Sequence, residues 1–276
     1  MEKNSPFICL TESHLKHEIL EAEIHIKGMS IYRSDRSQRS GGGVVSYVRT
    51  DLAVSSDLKH SNSYCEALGL HIPQLKLALL TMYRPPKCPQ FKFKESLKEV
   101  RDWLDSIEKE GKPTPTIFLS GDFNLGFLEN WEAEQIEEIK GAVDTRKKEG
   151  KVVAAERAQA IMLVNFVEEH FLQQQIREST RNEAILDLLF TSNKSLVLKC
   201  TQINNVNLTD HKTCIAQLSY DMNPQEKQEK KNFKTTKIPD YDTAGADEED
   251  WIRAGKLLDM VKWEEVLADK KETESC

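Results

Sequence analysis

The sequence has no apolar stretch long enough to cross a bilayer, which excludes a helical membrane span. No secretory leader is expected, because the apolar run Phe7-Ile8-Cys9-Leu10 is too short and too poorly flanked to be one. The six cysteines (Cys9, Cys65, Cys88, Cys200, Cys214 and Cys276) include no CxxC pair, so the usual zinc-site spacing is missing. They read as reduced thiols of an intracellular protein, nuclear or cytoplasmic and not secreted. There is no internal repeat, which excludes a solenoid. A positive surplus is lacking too. The net charge of −7 does not advertise a nucleic-acid binder, although most of the acidity follows residue 221 and the body before it is nearly neutral.

What remains is an ordinary globular composition. Of 276 residues, 39% are hydrophobic and 30% charged, enough apolar material for one large domain with a real core. Short apolar runs with strand character lie at residues 7–10, 44–48, 75–82, 117–119, 185–190, 195–200 and 213–218. The run 75–82 is apolar at nearly every position, so it is expected to be buried on both faces. Phe93, Leu97, Val100, Leu104 and Ile107 follow steps of three and four and predict a helix stopped by Gly111 and Pro113. A second helix is expected from about Val152 to Gln174, preceded by a polar helix or loop over 129–151. Clusters of strands separated by long helices predict an α+β fold with packed sheets. The texture changes past Tyr220, so a domain over 1–220 and a charged, weakly helical tail over 221–276 are expected.

Polar clusters sit where several strands end. Thr11-Glu12 follows the first run, Tyr83-Arg84-Pro85-Pro86 the third, and Ser120-Gly121-Asp122-Phe123-Asn124 the fourth. Thr209-Asp210-His211 precedes the last. The strand ends of one sheet can converge on one rim. Glu, Asp, Asn, His and Tyr together suit phosphodiester hydrolysis. Carboxylates can hold a divalent cation that offsets charge on the phosphate oxygens, and hard oxygen ligands favour magnesium. A carboxylate or histidine can take the proton of the attacking water. An amide and a phenol can donate hydrogen bonds to phosphate without adding charge.

Each residue also has a plainer reading. Glu12 reads equally as a first-turn residue of a helix capped by Thr11. Gly121-Asp122 is good turn chemistry, Asp210 suits a turn or cap, and His211 suits a surface. Tyr83-Arg84-Pro85-Pro86 can simply end a strand. Asp187 differs, because it lies inside Ile185-Leu186-Asp187-Leu188-Leu189-Phe190. A buried, unpaired carboxylate costs several kcal/mol, so it needs a partner, and a histidine suits. Gly41-Gly42-Gly43 leads into a strand and not a helix, so a tight hairpin or bulge is expected in place of a phosphate cradle.

Taken in order, TES at 11–13, YRSDRSQRSGGGVVSYV at 32–48, MYRPP at 82–86, SGDFN at 120–124, STRNEAILDLLFTS at 179–192 and LTDH at 208–211 resemble a known family. It is the endonuclease domain of jockey-like non-LTR retrotransposon polyproteins, in the endonuclease/exonuclease/phosphatase superfamily, and the match covers roughly residues 6–220. The resemblance implies a four-layer α/β/β/α sandwich of the deoxyribonuclease I type, with the family's first strand and helix missing. It implies a magnesium-dependent, DNA-nicking endonuclease, with manganese as the other candidate metal. It assigns Glu12 and Asp210 to the metal side and Asp122 to the attacking water. Asn124 and Tyr83 would contact the scissile phosphate, and Asp187 would hold His211 as a phosphate-stabilising or proton-transferring group. DNA is the implied partner, with no membrane and no small-molecule cofactor. The tail, with Trp251 and Trp263, resembles a linker to a reverse transcriptase, which is expected in the parent polyprotein and does not follow here. The competing reading is a catalytically impaired remnant, or a non-enzymatic interaction module of the same fold. A third keeps the fold and takes a phospholipid or inositol phosphate as substrate.

Overall fold

A computed structural model describes residues 5–36, 40–108, 114–126, 151–204 and 209–219, with side chains from residue 155 onward in the fourth segment. The helix stops at 111 and 113, the polar segment 129–150 and the tail beyond residue 221 lie outside the described residues.

The longest sheet holds β4 (Ser56–Ser61), β5 (Glu66–Ile72), β6 (Leu77–Tyr83), β7 (Thr116–Asp122), β8 (Gln173–Gln174) and β9 (Asp187–Thr191). Its order is β4-β5-β6-β7-β9-β8, with β6 and β7 parallel and every other pair antiparallel. A second sheet joins β1 (Phe7–Thr11), β2 (Met29–Ser34) and β3 (Val44–Arg49) in the order β1-β3-β2. β10 (Val197–Asn204) and β11 (Lys212–Leu218) form an antiparallel pair. Among the described residues the α-helices are α1 (Gln90–Glu108) and α2 (Lys151–Glu169).

The alternation of side chains sorts the core into layers. On β6, Leu77, Leu79 and Tyr83 face a core shared with Val44 and Val48 of β3 and partly buried Phe7 of β1. Leu196, Val197 and Leu218, at the β10–β11 pair, pack on that same core. Ala78, Leu80 and Met82 face the other way, toward Phe93, Leu97, Val100 and Leu104 of α1 and Leu163 and Phe166 of α2. All seven residues of β6 are therefore buried, as the unbroken apolar run predicts. Beyond the three-stranded sheet, Met29, Val45 and Tyr47 pack with Leu15 and Ile26. That outer layer is tied down by Arg33, whose guanidinium donates to the Ile19 and Lys16 carbonyl oxygens at 2.8 and 2.6 Å. The α+β layering is the expected one. Among the described residues the fourth layer is a loop with the 3-10 helix Glu21–Ile24. No described helix is long and apolar enough to cross a membrane.

Several elements differ from the sequence reading. No helix follows Thr11, and Glu12 instead has a left-handed φ of 49°. The second helix ends at Glu169, and a left-handed Phe171 turns the chain into β8. β4 and β5 carry His60 and Gly69, which break the apolar runs that identify strands.

Gly121 is required where it stands. Its φ is +154°, and a Cβ there would lie 1.7 Å from the Met82 carbonyl oxygen on the neighbouring strand. Gly28 is also left-handed (φ +81°), yet a Cβ would meet nothing within 4 Å. In urea unfolding Gly121→Ala is expected to lose about 2 kcal/mol or more. Gly28→Ala should lose only about 1 kcal/mol, the conformational cost alone. Equal losses would refute the assigned contact.

Candidate active site

One register builds the site. β5, β6, β7 and β9 are neighbours, and Glu66 pairs with Tyr83, Tyr83 with Asp122, and Asp122 with Asp187. Residues paired across a sheet share a face. The row thus points four polar side chains toward the layer that holds β1 and the β10–β11 pair. β1 runs out at Thr11 and delivers Glu12, and β11 begins just after His211.

Local hydrogen bonds fix each piece. Thr180 Oγ1 accepts from the backbone N–H groups of Leu186 and Asp187 at 3.0 and 3.1 Å. The Thr180 carbonyl accepts from the Lys212 N–H at 2.8 Å, which brings His211 to Asp187. His211 Nδ1 then lies 2.8 Å from Asp187 Oδ2. The half-buried Asp187 carboxylate has the histidine partner that its place in an apolar run predicts. Asn124, left-handed at φ 48°, curls back on Asp122. Its backbone N–H donates to Oδ1 at 3.0 Å and its side-chain amide to Oδ2 at 2.8 Å. Tyr83 donates its phenol to Glu12 Oε1.

Asp122, Asp187 and His211 each place a potential ligand atom within 4.8 Å of the others. This is the group among the described residues that could hold a metal. Burial pushes the Asp122 carboxyl up to about 7, and the nearby Asp187 charge adds to the rise while His211 opposes it. His211 is raised above 6.5, first by its hydrogen bond to Asp187. Burial and the hydrogen bond to Glu12 push the Tyr83 phenol upward, so it remains a donor at neutral pH. A polar cleft of about 320 Å³ opens beside His211, lined in part by Thr180, Asn182 and Asp210. A cleft of similar size, about 360 Å³, lies between Glu21 and Tyr32 and contains none of these groups.

Six of the seven residues singled out from sequence are thus linked: Glu12 with Tyr83, Asn124 with Asp122, and Asp122 with Asp187 and His211. Asp210 stands apart. Its exposed carboxylate is paired with Arg181 and does not belong to the three-residue group.

Two supporting pieces escaped the sequence reading. Arg36 Nε and Nη2 donate to the two oxygens of Glu66 at 2.7 and 2.8 Å, and both side chains are almost wholly buried. The Arg36 guanidinium also lies 5.5 Å from the centre of the Tyr83 ring. Gly42 leaves room for it, since a Cβ there would come within 2.3 Å of the guanidinium. The glycine run is a hairpin that seats an arginine. Glu66 heads an apolar strand, the same signal that marked Asp187, and could have been found that way. The second piece is Arg84, fully buried, which donates through Nη1 to the carbonyls of Phe123 and Asn124 at 3.0 and 3.2 Å. It clamps the loop that carries Asn124.

Since the His211 value is raised, its ion pair with Asp187 stabilises the fold fully below 6.5 and is lost as the pH rises through the elevated value. In Asp187→Asn the His211 imidazole, followed by NMR in chelator, is expected to titrate at or below 6.5. An unchanged titration would sink the pairing.

Comparison with known proteins bears on the fold and the family. Residues 77–215 match the family model described as endonuclease-reverse transcriptase. No curated protein matches the chain. Among solved structures, the 3'-5' exonuclease (NExo) of Neisseria meningitidis is similar at TM-score 0.53 and 13% identity, covering 79% of this chain and 91% of that one. An AP endonuclease from Archaeoglobus fulgidus gives TM-score 0.51 at 13% identity, over 78% of this chain and 89% of that one. A 3' phosphatase form of the Neisseria NExo, bound to a product DNA hairpin, gives 0.52 at 12% identity, over 79% and 90%. At such identities these likenesses speak for the fold, and the family match speaks for the lineage. The chain belongs to the endonuclease-reverse transcriptase family of the endonuclease/exonuclease/phosphatase superfamily, and residues 77–215 lie in its nuclease-type domain.

Proposed function

We propose that this chain is a metal-dependent phosphodiester hydrolase that nicks DNA, the endonuclease of a non-LTR retrotransposon. The observation that carries the reading is the cluster of Asp122, Asp187 and His211 at one sheet rim, with Asn124 and the Tyr83–Glu12 pair linked to it. Asp122 is buried and raised to about 7, so near neutral pH it can take a proton from an attacking water. The hydrogen bond to Asp187 favours the protonated form of His211, which in that form offers a positive donor to a phosphate oxygen. The Asn124 amide and the Tyr83 phenol are neutral donors on the same rim. The donor set fits a hard divalent cation, because the buried Asp122 and half-buried Asp187 carboxylates face each other and Glu12 remains half-exposed. Glu12 would hold it, and Asp210 would join by exchanging Arg181 for the cation. Magnesium, or manganese in its place, supplies charge neutralisation at the phosphate and polarisation of the ester when bound. The family description and a DNA-bound structural relative support DNA as the substrate class.

Supercoiled plasmid incubated with the protein and magnesium is expected to become nicked, and chelator should stop the reaction. Asp122→Ala and His211→Ala should each slow nicking by about 10²-fold or more, the scale of a lost proton-transfer or oxyanion group. A folded sample that leaves the plasmid supercoiled in both magnesium and manganese would overturn the reading. An interaction module should also show no metal effect on thermal stability, since nothing would bind the native state selectively.

A further inference from the structure

Cys65 and Cys88 lie outside the candidate site and have no part in the chemistry above. Cys65 sits just ahead of β5, in a turn where Asn62 Oδ1 accepts from its backbone N–H at 3.1 Å. Cys88 lies between β6 and α1, two residues before the helix begins. Their sulfurs are 3.3 Å apart, and both residues are buried, at 0% and 4% exposure. A disulfide needs about 2.05 Å between sulfurs, so the two side chains have little more than an ångström to close.

The surroundings favour a thiolate at one of them. Arg84 is fully buried, and its Nη2 has no hydrogen-bond partner among the described residues. Its other nitrogens are satisfied by neutral groups: Nε donates to Gln159 Oε1 at 2.7 Å, and Nη1 to two backbone carbonyls. A buried guanidinium without a hydrogen-bonded carboxylate is costly, and a negative charge at Cys88 favours its cationic form more than those at Cys65, Glu156 or Asp122. The Cys88 thiol is held below its ordinary value, first by the hydrogen bond from Cys65 and then by Arg84 and Arg36 against burial. Cys65 is correspondingly raised by donating to Cys88 and by burial. In the fully protonated pair the Cys88 thiol also reaches the Pro89 carbonyl at 3.5 Å. The thiolate is the nucleophile in such chemistry, and a second thiol beside it resolves the product.

We propose that Cys65 and Cys88 form a dithiol site that hydrogen peroxide converts to an intramolecular disulfide. The Cys88 sulfur attacks one peroxide oxygen, the O–O bond breaks, and the released hydroxide takes a proton and leaves as water. The resulting sulfenic acid is attacked by the Cys65 sulfur, which loses its proton as the S–O bond breaks and a second water departs. The two sulfurs together lose two electrons, and the peroxide gains them. The site is coupled to the nuclease rim through two side chains, since Gln159 Nε2 donates to the Cys88 carbonyl at 2.8 Å and accepts from Arg84.

The test is covalent and does not depend on the nuclease reading. The whole native chain is treated with hydrogen peroxide, free thiols are then alkylated, and the digest is read by mass spectrometry. The expected product is a cross-linked peptide joining Cys65 to Cys88, lighter by two hydrogens and opened by dithiothreitol, with Cys9, Cys200 and Cys214 still open to alkylation. In Cys65→Ser the resolving thiol is gone, and a dimedone adduct should collect on Cys88. Cross-links to other cysteines or between chains would overturn the proposal. So would recovery of Cys65 and Cys88 as separate alkylated or over-oxidised peptides from the wild-type chain, a result that does not require the variant to fold.

Discussion

The site depends on one register. Glu66, Tyr83, Asp122 and Asp187 come from four strands that are neighbours in the sheet but lie up to 121 positions apart in sequence, and the backbone ladder puts them in one row. A slip of one residue on any of these strands would turn its polar end to the opposite face. The register is held by burial, because the same alternation that aims Tyr83 at the rim sends Leu77 and Leu79 into one core and Ala78, Leu80 and Met82 into the other. Gly121 permits β7 to lie close enough to β6 for that ladder to reach the rim.

Charge is placed on this frame with its partners built in. Asp122 and Asp187 face one another, and Asp122 is raised first by its burial and then by the Asp187 charge. His211 relieves part of it by sitting on Asp187. Two strands from Asp122, Glu66 is paired with Arg36, which lies against the Tyr83 ring and so braces the phenol from behind. Buried pairs of this kind contribute little net stability, but leaving either partner alone is expensive, so each holds the other in a single geometry. Arg84 is the exception, a buried cation whose hydrogen bonds go to neutral groups and whose Nη2 has no partner among the described residues. It links the loop of Asn124 to Gln159 of α2.

Much of this was legible in the residues. The unbroken apolar run of β6, the period of α1 and the isolated carboxylate in β9 are local signals that short-range physics produces wherever they occur. The order of the polar clusters carried the family resemblance, which the family match bears out. Other features were hidden for physical reasons. β4 and β5 are interrupted by His60 and Gly69, which the fold accommodates through Ser96 and through the Trp103 ring of α1. Glu12 has the sequence of a helix start, but its strand ends beside Tyr83, and the phenol takes the carboxylate before any helix forms.

The sequence by itself determined which residue types were available and where strands would end, because strand and helix periods are written in neighbouring side chains. It determined that Asp187 must have a partner, since burial without one is too costly. Only the tertiary structure decided who the partners are. His211 went to Asp187, Arg36 to Glu66, Arg181 to Asp210, and Cys88 to Cys65. Such pairings depend on distances between segments remote in sequence, and those distances exist only once the sheets have packed.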